Sequence, residues 1–196
     1  MPDDELLSVL QGLRERGALG EASLPDAVRH AEAFVEALPL STRRVIDLGS
    51  GGGLPGLVLA CRLPHVSFVL TDRRERRMDL LRMACARLGV DDRVTVITAD
   101  VVQLARRADL AGSFDAVTAR AFGDPIVTLR CARPFLDHDG VIVVSEPPDV
   151  ATAAHEDAGV VARWPGDLLA QLELRMSADA YPLVRRIERL PVQPAT

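Results

Sequence analysis

Val45-Ile46-Asp47-Leu48-Gly49-Ser50-Gly51-Gly52-Gly53-Leu54-Pro55-Gly56 decides how this chain is read. An apolar run ends in an aspartate and then breaks into five glycines within eight residues. Side chains are missing where a backbone must turn sharply or where a ligand must come close to it. The stretch therefore reads as a strand, a tight loop and the start of a helix. Such a junction offers free backbone N–H groups to a polar ligand. Gly51-x-Gly53-x-x-Gly56 matches the dinucleotide pattern literally, but many glycine-rich loops do so. Asp47 argues against a dinucleotide, because a carboxylate at the strand end repels a pyrophosphate. It suits a ligand with a cationic amino group, such as the methionine part of S-adenosylmethionine. The plain alternative is a glycine-rich turn that binds nothing.

Outward from this loop the chain alternates. Strands are expected over residues 43–48, 66–71 (ending at Asp72), 93–98, 114–119 and 140–145. Helices are expected over residues 54–62, 74–88 (stopped by Gly89), 101–106 and 125–136. Two helices precede the first strand. Residues 5–16 carry Leu6, Leu7, Leu10 and Leu13 at helical spacing, and a second helix opens at Ser23, a candidate N-cap, and stops before Pro39. Near the end, Leu172-Glu173-Leu174-Arg175-Met176 alternates with period two and residues 181–190 are strand-like, which predicts an antiparallel pair at a sheet edge. Apolar strands alternating with helices mean a parallel sheet covered on both faces. The fold expected is α/β: a Rossmann-like, doubly wound, mostly parallel seven-stranded sheet with an antiparallel C-terminal strand pair and N-terminal helices. Residues 1–40 read as a helical extension and residues 41–196 as the core of a single domain.

Composition sets further bounds. With 196 residues, 48% hydrophobic and 26% charged, the chain has an ordinary globular make-up. No apolar stretch reaches 18 residues, so no membrane span is expected. Met1-Pro2-Asp3-Asp4-Glu5 is acidic, unlike a secretory signal. Cys61, Cys85 and Cys131 are odd in number and far apart, and read as small hydrophobes in a reducing, cytoplasmic setting. His30, His65, His138 and His155 have no metal-ligand spacing, so no metal is expected. The net charge of −5 is not the overall signature of a nucleic-acid binder. All 23 basic residues are arginine, and Arg73, Arg74, Arg76, Arg77, Arg82 and Arg87 fall within fifteen positions. That cluster is either a solvated helix face partnered by Asp72, Glu75 and Asp79 or a patch facing phosphates.

In doubly wound sheets the ligand sits at the carboxyl ends of the strands. Asp47, Asp72, Asp100 and Arg120 all fall at or just after predicted strand ends. Asp72, 23 positions after Gly49, can accept both ribose hydroxyls of an adenosine, or it can cap a helix. Asp100 can take the exocyclic amine of adenine, or cap the helix that begins at Val101. Together these motifs resemble a class I S-adenosylmethionine-dependent methyltransferase. Residues 47–56, with their Leu-Pro-Gly ending, and Phe114-Asp115-Ala116-Val117-Thr118-Ala119-Arg120-Ala121-Phe122 resemble, more narrowly, the small-subunit ribosomal RNA guanine-N7 methyltransferases, also called glucose-inhibited division protein B.

That resemblance implies that Asp47, Gly49, Ser50, Gly51, Gly53, Asp72, Arg73, Asp100 and Val101 hold S-adenosylmethionine, with S-adenosylhomocysteine as product. It implies that Arg120 sits near the methyl donor, touches the cofactor and acts on the substrate, a ribosomal RNA or small ribosomal subunit. Arg120 alternatively forms a salt bridge to a nearby carboxylate. The chain departs from the family in three places. The family's His-x-x-Asp-Ser is replaced, with Ala33 and Phe34 following His30; its lysine near the end of the fifth strand is replaced by Ser145-Glu146-Pro147-Pro148; and Leu183 follows Tyr181-Pro182, with little basic tail beyond. Each change removes polar or positive character useful to an RNA backbone. A methyltransferase acting on a small molecule or protein, and a non-catalytic cofactor-binding module, are the competing readings.

Overall fold

Strand residues that are apolar on both sides must be covered on both sides, and the topology does this. The computed structural model describes residues 3–147 and 158–191. The expectations attached to Met1, Pro2, Pro148, His155 and residues 192–196 lie outside them. In chain order the elements are α1 (Asp3–Glu15), α2 (Leu24–Ala37), β1 (Arg44–Leu48), α3 (Gly56–Arg62), β2 (Ser67–Asp72), α4 (Glu75–Arg87), β3 (Val94–Thr98), α5 (Val101–Leu104), β4 (Phe114–Ala119) and α6 (Pro125–Ala132). A 3-10 turn (Arg133–Phe135), β5 (Leu136–Ser145), α7 (Ala158–Arg163), α8 (Gly166–Gln171), β6 (Leu174–Met176) and β7 (Val184–Arg189) follow. The seven strands form one sheet in the order β3-β2-β1-β4-β5-β7-β6. The first five are parallel, and β7 runs antiparallel to both β5 and β6. The strand order reverses between β1 and β4, where doubly wound sheets open a crevice.

Side chains alternate between two cores, as the pleat requires. Val45, Phe68 and Leu70 face a core shared with Leu10, Phe34, Leu57 and Leu81, which ties the N-terminal helices to the sheet. Ile46, Val69 and Val117 face the opposite core with Phe135, Trp164 and Leu168. Phe114 and Phe135 meet edge to face there, 6.1 Å apart. Each such buried large side chain contributes about 1.5–3 kcal/mol.

The seven strands, the edge pair and the Ser23 cap of α2 match expectation; the Ser23 hydroxyl accepts from the Asp26 amide. Boundaries differ where proline decides them. The helix after the glycine loop starts at Gly56 rather than at residue 54, because Pro55 keeps Leu54 out of the helical region. The helix expected to reach residue 136 ends at Ala132 and tightens into the 3-10 turn, since Pro134 has no amide to donate. β5 begins at Leu136 instead of residue 140. Its pairing with β4 jumps from Phe114↔Leu136 to Ala116↔Val141, so residues between them loop out. The short helices α7 and α8 had no counterpart in the sequence reading.

Candidate functional site

The glycine loop is stitched to β2 by one residue. The Ser50 amide donates to the Thr71 carbonyl (2.9 Å), the Ser50 hydroxyl donates to the Asp47 carbonyl (2.9 Å), and the same oxygen accepts from the Thr71 amide (3.0 Å). Its glycines divide the work. A Cβ on Gly52 would lie 2.5 Å from Leu19, one on Gly53 2.9 Å from Leu57 and Leu81, one on Gly56 2.4 Å from Leu70, and one on Gly49 2.7 Å from Phe122. These four let protein pack against the loop. Gly51, at φ +52°, has only Arg77 Nη1 (3.5 Å), its own loop and Asp72 Oδ2 (3.9 Å) near that position. It is the glycine of the five where a Cβ would meet nothing closer than 3.5 Å, and it borders the open space at the strand ends.

That space is a cavity of about 650 Å³ at the strand ends, within the usual range for small-molecule sites. Gly49, Ser50, Gly51, Asp72, Arg73, Asp100, Val101 and Arg120 line it, which brings most of the sequence-derived set to one wall. Asp47 and Gly53 lie behind the wall. Direct contact between Asp47 and a cationic amino group is thus replaced by a buried carboxylate under the loop. Its side chain is fully enclosed, because Gly56 packs on its Oδ2 side and Thr118 on the other. Arg14 and Leu19, from α1 and the link after it, together with Phe122, Val127 and Cys131, complete the wall. No local pattern announces Arg14 or Leu19, since they reach the site across tens of residues.

Both carboxylates at the next strand ends do double duty. Asp72 Oδ1 accepts the Arg74 amide (2.9 Å), just ahead of α4, while Oδ2 is turned toward Gly51. Asp100 Oδ1 accepts the Val102 amide (2.8 Å) and caps α5. The capping alternative holds for Asp100 but not for Asp72, since the N-cap of α4 is Arg74 and no side chain caps it; both residues also border the cavity.

Asp47 and Arg120 set the electrostatics. Burial pushes the Asp47 carboxyl up to about 6, opposed by the Thr118 hydroxyl, which donates to Oδ1 at 2.6 Å. Its Oδ2 makes no hydrogen bond among the described residues. Arg120 follows β4 and is held down from its ordinary value by burial, while the Asp47 charge raises it. Its Nη1 is enclosed without a hydrogen-bond partner, and the two groups form no ion pair among the described residues. Burial and Arg120 together keep His30 below its usual value. Next along the chain, Ala121 adopts φ +49°, a strained conformation for a non-glycine residue, and its amide donates to Ser145 Oγ.

Glu146 points into the protein. Its side chain is fully buried, accepts from Trp164 Nε1 and pairs with Arg163 Nε at 2.8 Å. Burial raises its pKa, countered by these partners and by the nearby Arg185. The arginine cluster splits. Arg82 pairs with Asp79 (2.6 Å) and reaches Thr98 Oγ1, and Arg87 donates to Ser8 Oγ, whereas the guanidinium groups of Arg73, Arg74, Arg76 and Arg77 contact no partner among the described residues. The cysteines are free; Cys85 is buried, while Cys61 and Cys131 are half-buried. Among the described residues no group of three His, Cys, Asp or Glu could hold a metal, and no helix is long and apolar enough to cross a membrane.

A family model described as GidB, rRNA small subunit methyltransferase G, matches residues 9–155. A curated relative from Rhizorhabdus wittichii, "Ribosomal RNA small subunit methyltransferase G", is 32% identical over 170 residues, covering 84% of this chain and 75% of its own length. Further relatives of that name match 52% of the chain, which spans only 40–41% of their length. Among solved structures, a cofactor-bound protein from MTB superposes with a TM-score of 0.70 at 21% identity, covering 97% of this chain and 92% of its own. A Bacillus cereus O-methyltransferase in complex with SAH gives 0.68 at 16% identity, covering 96% and 92%.

Proposed function

The chain belongs to the rRNA small subunit methyltransferase G family, and from that premise we propose that it uses S-adenosylmethionine to methylate N7 of a guanine in small-subunit ribosomal RNA. The observation that carries this reading is that the Gly49–Gly51 backbone, Asp72 and Asp100 line one cavity at the strand ends. An amino acid joined to an adenosine fits that order of groups. The residues available fit the cofactor: the Gly49–Gly51 backbone for the amino-acid part, Asp72 and Arg73 for the ribose, Asp100 and Val101 for the adenine. Asp47 acts from behind the wall, as a charge that balances Arg120.

The cofactor supplies a methyl group activated by its sulfonium. Guanine N7 already carries a free lone pair, so the protein needs no general base. Its task is to hold the acceptor in line and to keep a preorganised polar site. Arg120, with an unsatisfied Nη1 at the cavity edge, is the group to donate a hydrogen bond to guanine O6 or to clamp a neighbouring phosphate. Phe122 and Val127 add apolar surface to the same wall. A cytoplasmic location follows from such a substrate.

Small ribosomal subunits from a strain lacking this protein, incubated with it and labelled S-adenosylmethionine, should take up label. Mass spectrometry should then place the methyl on a single guanine. Absence of label in ribosomal RNA, with label in a small-molecule or protein fraction, would overturn the acceptor.

A further inference from the structure

We propose that Arg74 and Arg76, with Arg77 behind them and Arg73 left to the ribose, form a phosphate-binding edge at the mouth of the cavity, along which the acceptor's RNA backbone lies. This inference rests on the RNA reading above and adds to it the surface that holds the strand.

The first argument is the absence of partners. Three acids stand close by in sequence. Asp72 spends Oδ1 on a backbone amide, Asp79 is taken by Arg82, and only Glu75 is left for four guanidinium groups. Arg73, Arg74 and Arg76 are exposed and Arg77 is half-buried, and none of their guanidinium groups makes a hydrogen bond or ion pair among the described residues.

The second is the charge of the wall. Arg14, Arg73, Arg74, Arg77 and Arg120 line the cavity against two carboxylates, Asp72 and Asp100, with Asp47 behind the wall as the counter-charge of Arg120. S-adenosylmethionine brings a single carboxylate and carries net positive charge. One arginine is enough for that carboxylate, and the remaining cations repel the sulfonium unless an anion from outside covers them. A polyanion at the mouth resolves this mismatch, and a guanidinium grips phosphate through two parallel hydrogen bonds.

The third is position. These arginines stand at the N-terminal end of α4, where basic side chains oppose the helix dipole. Folding alone does not favour them there. The chain as a whole is acidic, with a net charge of −5, so attraction for RNA has to be concentrated locally. The rim at the end of β5 contributes nothing to it, because Glu146 is buried in its own ion pair.

The full-length R74Q/R76Q variant tests the edge, since both side chains are exposed and neither is assigned to the cofactor. Binding of naked small-subunit ribosomal RNA is measured as a function of salt, beside calorimetry with S-adenosylhomocysteine. Loss of two phosphate contacts should make the slope of log K against log salt shallower by about 1.4–1.8, which is a roughly 25- to 60-fold weaker affinity at about 0.1 M salt. In R76Q alone, whose side chain lies off the cavity wall, S-adenosylhomocysteine affinity should be unchanged, and the thermal midpoint of the double variant should be equal or higher. The contrasting R82Q/R87Q variant, which removes tied-down arginines, should leave the slope as it was. If the parent protein methylates the RNA but R74Q/R76Q binds it with the same slope, the edge is wrong and the function stands. A fall in S-adenosylhomocysteine affinity in R76Q, or an equal change of slope in both double variants, also overturns the edge. If the parent neither binds nor methylates the RNA, the functional reading fails and the edge fails with it.

Discussion

Replacing Asp47 by asparagine should make the protein more stable and worse at holding its cofactor. Asp47 is wholly enclosed, and burial lifts its carboxyl from 3.8 to about 6. In the unfolded chain the proton leaves near 3.8. Between these two values the folded protein keeps a proton that the unfolded chain has lost. Stability therefore falls as pH rises through that window and levels off above about 6. At about 1.4 kcal/mol per pKa unit, the rise corresponds to about 3 kcal/mol. Asparagine still offers Thr118 an acceptor and has no charge to bury. Asp47→Asn should thus exceed the parent by up to about 3 kcal/mol above pH 6, about 6–12 °C in midpoint for a chain of this size. The gain should vanish below about pH 4. Thermal melts from pH 4 to 8 measure it, and calorimetry with S-adenosylhomocysteine at pH 7.5 should show weaker binding, because Arg120 loses its counter-charge. A variant that is less stable at pH 7.5, or whose difference does not change with pH, would refute the reasoning. It would mean that the carboxylate is ionised and fully compensated beneath the loop.

Asp72→Ala should weaken S-adenosylhomocysteine about 10- to 100-fold, the scale of hydrogen bonds to a charged group. It should also lower stability by about 1 kcal/mol through the freed Arg74 amide; unchanged affinity in calorimetry would leave Asp72 with that amide alone. Arg120→Ala should cut single-turnover methyl transfer about 100- to 1,000-fold while sparing cofactor affinity, and equal loss of both would mean the residue serves the cofactor. Gly52→Ala should cost about 1–3 kcal/mol in urea unfolding, because its methyl meets Leu19 at 2.5 Å and the Ala18 carbonyl at 2.7 Å. Wild-type stability would show that the link before α2 moves aside freely.

The sheet was legible because its signals are local. Asp47, Asp72, Asp100 and Arg120 each end or follow a strand, and a parallel sheet has no choice but to gather strand ends at one edge. Cap chemistry at Ser23 and Asp100 is equally local. What stayed hidden depends on distant partners. Nothing near Gly52 reveals that Leu19 needs its missing side chain, so five glycines looked like one ligand-binding device when four of them accommodate neighbouring protein. The inward turn of Asp47 depends on Thr118, its register partner across the β1–β4 pair. The surplus of arginine was visible, but its division into tied and untied members needed Ser8 and Thr98 in place.

Glu146 carries a consequence for how this lineage can change. It is wedged between Trp164 Nε1 and Arg163, with Arg185 close enough to act on it. The family resemblance leads one to expect a lysine near the end of β5; set at position 146, it would bring an ammonium beside two guanidinium groups and strand the indole. Breaking a buried pair in this way costs about 3–5 kcal/mol, a large share of what keeps a domain folded. Position 146 is therefore tied to positions 163 and 164, and the far rim of the crevice keeps its form as long as those partners stay in place.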